Sequence, residues 1–111
     1  MNLLGLIIYS KVNGTTLDGK WMNNVVLSFQ QEIILNPNGN QGFVGVFISQ
    51  WDDSSGAFRA NLNITRISDD QFSLTWTNLQ DRNSNQAIDT TYDGIGTIIN
   101  NQLVCSYRLL N

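Results

Sequence analysis

Trp21, Trp76 and Tyr92 are the side chains best placed by type to do chemistry in this 111-residue chain, because a flat aromatic face either stacks on a ligand or plugs the core of a small fold. The other reactive residues offer less. Asp89 and Asp93 flank Thr90 and Tyr92 in the manner of a carboxylate pair for acid–base work, but the sequence holds no His, the usual general base. The pairs Asp52–Asp53 and Asp69–Asp70 fall in turn-like stretches without the alternating oxygen-ligand spacing of a calcium loop. Cys105 is the single cysteine, so no internal disulfide or zinc cluster can be built, and its alternation with Leu103 and Leu109 places it as an inert buried thiol. The residues therefore favour holding a molecule over transforming it, with no metal and no cofactor.

Composition narrows the partners. Only six Lys and Arg stand against nine Asp and Glu, a net charge of −3, which leaves no basic stripe for a nucleic acid backbone or an anionic membrane. An apolar fraction of 41% in this length supports one core, and the expectation is a single domain over residues 1–111. The opening MNLLGLIIYSK has no basic stretch ahead of its apolar run and no small-residue cleavage site, and the run is too short to cross a bilayer. A soluble chain without a signal peptide is expected.

The elements that must position these residues are strands. Apolar and polar residues alternate in short runs at 3–11, 18–23, 26–36, 42–51, 57–67, 70–78, 90–99 and 102–110. Asn13–Gly14, Pro37–Asn38–Gly39, residues 52–56, 68–70 and Asn100–Asn101 separate many of them as turn signals, which predicts antiparallel neighbours. The polar stretch 79–89 is longer than a hairpin needs and is expected to be a mobile lid. Eight short antiparallel strands either close on themselves or fold as a sandwich, since an open sheet would leave adhesive edges, and the expectation is an all-β, up-and-down eight-stranded barrel.

Four segments in order carry a family resemblance. Gly19-Lys20-Trp21-Met22-Asn23, Gly45-Val46-Phe47-Ile48-Ser49, Phe72 to Asn78 with its Trp76-Thr77-Asn78 ending, and Thr90-Thr91-Tyr92-Asp93-Gly94 resemble strands of the avidin and streptavidin family. The first run, 4–12, resembles that family's last strand moved to the front, a circular permutation that a closed barrel tolerates because its first and last strands are neighbours. The resemblance implies a biotin-like site in the barrel mouth, walled by Trp21, Trp76 and Tyr92, based on Phe47 and oriented by Asn23, Ser49 and Thr90. Arg108, or a neighbouring residue, falls where the family has a stacking Trp. Leu27, Phe47 and Ile7 stand where the family carries polar groups for the ureido ring. Each missing partner costs about 1–3 kcal/mol, so biotin binding is expected to be weak or lost in favour of a more apolar ligand.

The expected function is thus a non-enzymatic small-molecule-binding barrel. Its rivals are a lectin-like or inhibitor-type interaction module with a filled interior, and a lipocalin-like barrel isomerase. Both faces of 102–110 carry apolar residues, which with the resemblance predicts a homo-oligomer.

Overall fold

The computed structural model describes residues 3–110. Its strands are β1 (Leu4–Lys11), β2 (Leu17–Asn23), β3 (Gln30–Leu35), β4 (Gly45–Asp53), β5 (Gly56–Arg66), β6 (Phe72–Asp81), β7 (Tyr92–Ile99) and β8 (Gln102–Leu109). Each pairs antiparallel with the next, and β8 returns to pair with β1, so the sheet is a closed up-and-down barrel as the alternation predicts. Closure leaves no sheet edge to attract another chain.

The inward residues divide the barrel into two halves. Toward one end Leu17, Ile34, Phe43, Phe47, Phe72 and Leu103 are buried and form an apolar plug. Toward the other, where both described chain ends lie, the interior is lined by aromatic and polar groups. The hairpin at Asn100–Asn101 has both residues at positive φ (51° and 65°), the conformation of a two-residue turn whose twist matches its strands and which Asn tolerates best among residues with a side chain.

Several strands are offset by a few residues from the expected runs, and two of them show a local reason. β3 begins at Gln30 and not at 26, because Asn23 Oδ1 accepts the backbone N–H groups of Val25 and Val26 and folds residues 24–29 into an irregular connection. β6 runs on to Asp81, past a bulge opposite Ala60 where Asn78 takes a φ of 53°. That extra residue shifts the inward phase from Trp76 to Leu79, which is buried. Half of the supposed lid is therefore strand or tied to it. Ile88 N–H donates to the Leu79 carbonyl, Asp81 N–H donates to that of Gln86, and Asp81 Oδ1 accepts the N–H groups of Asn83 and Ser84.

Strands β7 and β8 approach most closely at Gly94, where a Cβ would run into the Ser106 carbonyl oxygen. Gly94→Ala is expected to cost about 1–3 kcal/mol through overpacking. Urea unfolding should show this as a lower midpoint at unchanged slope, and an unshifted midpoint would mean the strands can part there without cost.

Candidate functional site

Strand direction places the starts of β1, β3 and β7 and the ends of β2, β4 and β8 around one mouth of the barrel. A cavity of about 70 Å3 opens there. Trp21, Trp51, Trp76, Tyr92 and Tyr107 supply its walls, and Ile7 and Leu3 add aliphatic surface. The rings brace one another: Tyr107 stands 6.0 Å from both Trp76 and Tyr92, tilted against the first and edge-on to the second. Such offset and edge contacts suit the ring quadrupoles and keep the walls in place. Tyr107 also lies directly over Gly5, where any Cβ would collide with its ring, so the bare backbone of β1 makes room for this wall.

The floor is polar. Glu32 is 2% exposed, and its Oε2 accepts three hydrogen bonds: from the Tyr9 hydroxyl at 2.9 Å, from the Ser49 hydroxyl, and from Trp76 Nε1 at 3.3 Å. These donors come from β1, β4 and β6, while Glu32 sits on β3 and lines the cavity. Burial pushes its carboxyl above the usual carboxylate range even though the three donors pull it down. Desolvation therefore outweighs hydrogen bonding, and no Arg or Lys lines the cavity to offset it. Trp21 adds a second uncompensated group: its Nε1–H is buried and meets no acceptor among the described residues. Burial also raises the Tyr107 hydroxyl to about 12, partly countered by the Asn23 amide that donates to it and reinforced by Tyr92, Glu32 and Asp53.

The residues singled out in the sequence divide in this frame. Trp21, Asn23, Trp76 and Tyr92 line the cavity together. Asn23 Nδ2 is engaged with the Tyr107 hydroxyl and its Oδ1 with the backbone, so its polar atoms mainly hold the rim in shape. Ser49 lies one step back and donates to Glu32. Phe47 is fully buried but belongs to the core and does not line the cavity. Thr90 lies in the β6–β7 connection, where its N–H donates to the Ile88 carbonyl. Arg108 points outward, pairing with Asp93 at 2.9 Å with its side chain 65% exposed; the neighbouring Tyr107 takes the inward place. Leu27 is 76% exposed in the β2–β3 connection, whereas Ile7 is buried at the cavity.

Glu32, Trp51, Asp53 and Tyr107 were missed by sequence reasoning. For Glu32 the hydropathy pattern points the wrong way: Phe29, Ile33 and Leu35 share a face with Gln31, and Glu32 shares one with Gln30 and Ile34. Only the register with β2 and β4 turns Glu32 inward and leaves Ile33 52% exposed. The far end of the barrel carries a second, larger cavity of about 320 Å3 lined by Phe43 and Phe72, whose faces are already capped by Lys11 and Arg66 at 5.2 Å. The mouth is the site where buried polar groups converge. Compared with protein-family models, curated proteins and solved structures, the chain matches none.

An acid that holds its proton more tightly when folded adds stability below its unfolded pKa, and that contribution is lost as pH rises through the folded value. Across a scan from about pH 4 to pH 8, wild type should therefore lose stability relative to Glu32→Gln as pH rises above the unfolded carboxyl's value, by at most about 1.4 kcal/mol per pH unit. The facing Tyr9 hydroxyl and Cys105 thiol, both pushed up by burial, the latter to about 12, stay protonated throughout that range. Thermal unfolding of both proteins across the range is the check, and a pH-independent difference would show that Glu32 does not titrate there.

Proposed function

We propose that the protein is a non-enzymatic small-molecule-binding barrel of avidin-like design, holding a compact ligand in the aromatic mouth. The observation that carries this reading is the carboxyl of Glu32, buried at net cost on the floor of a cavity walled by braced aromatic rings. A core built for stability alone would place an apolar residue there. Ligand atoms would stack between Trp21, Trp76 and Tyr92 and meet Glu32 at the base. Biotin itself would bind weakly or not at all. Phe47 and Ile7 offer no hydrogen bond, Leu27 lies exposed on the connection, and Ser49 spends its hydroxyl on Glu32. The cavity is also small beside the several hundred Å3 of most drug-sized sites, which favours a small ligand or the head of a larger one.

Indole N–H resonances of the three tryptophans, followed by NMR during titration with benzyl alcohol and separately with biotin, test this reading. Benzyl alcohol should move the Trp21 and Trp76 signals saturably, while biotin binds more weakly than about 1 μM, three lost polar contacts being enough to remove nanomolar affinity. Tyr92→Ala should weaken benzyl alcohol several-fold at small cost to stability. Trp76→Ala, which empties a nearly buried site and frees Glu32 of a donor, should cost about 3–5 kcal/mol. Indole signals unmoved by either compound would end the ligand-binding reading.

The outer faces of β1 and β7, on either side of β8, show Leu4, Leu6, Ile95 and Ile99 at 36–63% exposure. We infer that this apolar surface pairs with a second copy of the chain. Light scattering at micromolar concentration should give a multiple of the chain mass, and a monomer mass would exclude the pairing.

A further inference from the structure

We propose that the mouth cavity is specific for the ammonium group of a small organic amine, held by the carboxylates of Glu32 and Asp53 against the faces of the surrounding aromatic rings. This rests on the binding reading above and names the ligand class that the same cavity selects.

Charge is the first argument. The hydrogen bonds to Glu32 all fall on Oε2, and among the described side chains and backbone none reaches Oε1. The ion pairs of the described residues, Arg82 with Asp52 and Arg108 with Asp93, lie elsewhere, so no described residue neutralises this carboxyl. An ammonium group brings both the missing charge and up to three N–H donors. Asp53, the second acid lining the cavity, uses Oδ1 to accept the N–H and hydroxyl of Ser55, so a carboxylate also stands at the rim on the ligand's path. Behind burial as the main cause, Glu32 and Asp53 both add to the raised Tyr107 hydroxyl, the direction expected of negative charge beside it.

The walls are the second argument. Trp21, Trp51 and Trp76, with Tyr92 and Tyr107, surround a volume of about 70 Å3 with aromatic rings, whose faces are electron-rich. Aromatic faces attract a cation electrostatically, most strongly where water is excluded, and a ring of them with a carboxylate at the base is a cage for an ammonium head. An anion would meet two carboxylates and no cationic side chain. A neutral ligand of the same shape would leave Glu32 uncompensated and gain only apolar contact.

Benzylammonium, benzyl alcohol and benzoate share one shape and differ in charge, so titrating each near neutral pH by calorimetry and indole NMR separates the outcomes. Benzylammonium should bind at least about tenfold more tightly than benzyl alcohol, and benzoate should not bind. Glu32→Gln should level the first two, and Asp53→Asn, at the rim and safe for folding, should reduce the ammonium preference about two- to fivefold through a more solvated charge. Equal affinities for benzylammonium and benzyl alcohol in wild type would overturn the ammonium specificity while leaving a working binding site. A preference that survives both substitutions would overturn the assignment to these carboxylates. Indole signals that none of the three probes moves would remove the cavity as a binding site altogether.

Discussion

A single carboxyl group ties the middle of this barrel together. Glu32 on β3 draws the Tyr9 hydroxyl from β1, the Ser49 hydroxyl from β4 and the Trp76 indole from β6 to one oxygen. Strands that are not sequence neighbours, and several that are not sheet neighbours, are thereby linked across the interior. Hydrogen bonds to a charged acceptor are worth about 1.5–3 kcal/mol each, yet stripping water from a carboxylate costs several. The raised pKa says that the second term prevails. Removing one donor would be worse than replacing the whole network, since it leaves a buried charge still less satisfied. The three donors and the acid thus form one unit, and it sits at the boundary between plug and mouth.

That boundary explains how so small a barrel can carry a cavity. A chain of this size buries only part of its surface on folding, and an interior open from end to end would leave too little apolar contact to hold it. Here Phe43, Phe47, Phe72, Leu74 and Leu103 fill one half densely. The other half depends on large rings that reach across the lumen and on Gly5, whose missing side chain admits Tyr107. Apolar packing is concentrated at one end and the aromatic cavity at the other, so the mouth can hold unsatisfied groups such as Trp21 Nε1 without endangering the fold.

What was legible in the sequence follows from which signals are local. Period-2 alternation and Asn–Gly or Asn–Asn turns are read within a few residues, and they yielded the strands, their antiparallel order and the closure. Register is a long-range property, and the residues that depend on it escaped. Glu32 sits on the less apolar face of its strand, and pairing with β2 and β4 turns that face inward. At the end of β6 the alternation breaks at Asn78, the last residue of the expected run, which is a bulge that re-aims Leu79 into the core. Arg108 and Tyr107 are adjacent, so a shift of one residue decides which of them faces the lumen, and only the pairing of Tyr107 with Gly5 and Gly94 fixes it.

The polar groups that the avidin resemblance would supply are missing at 7, 27 and 47, but the interior is not apolar in consequence. Where a urea-like ring would need neutral hydroxyl and amide groups, the floor carries the Glu32 carboxyl, whose own donors are already spent on it. On the proposed reading such a site would discriminate by charge more than by hydrogen-bond pattern, because its carboxyl calls for a positive partner. The surrounding indole and phenol rings meet the same demand, since their faces favour a cation and do little for a neutral polar ring. On the proposed reading, aromatic walls resembling those of a biotin-type barrel would serve a different chemistry of recognition, and the residue responsible, Glu32, lies on a strand face that its own sequence marks as polar and solvent-directed.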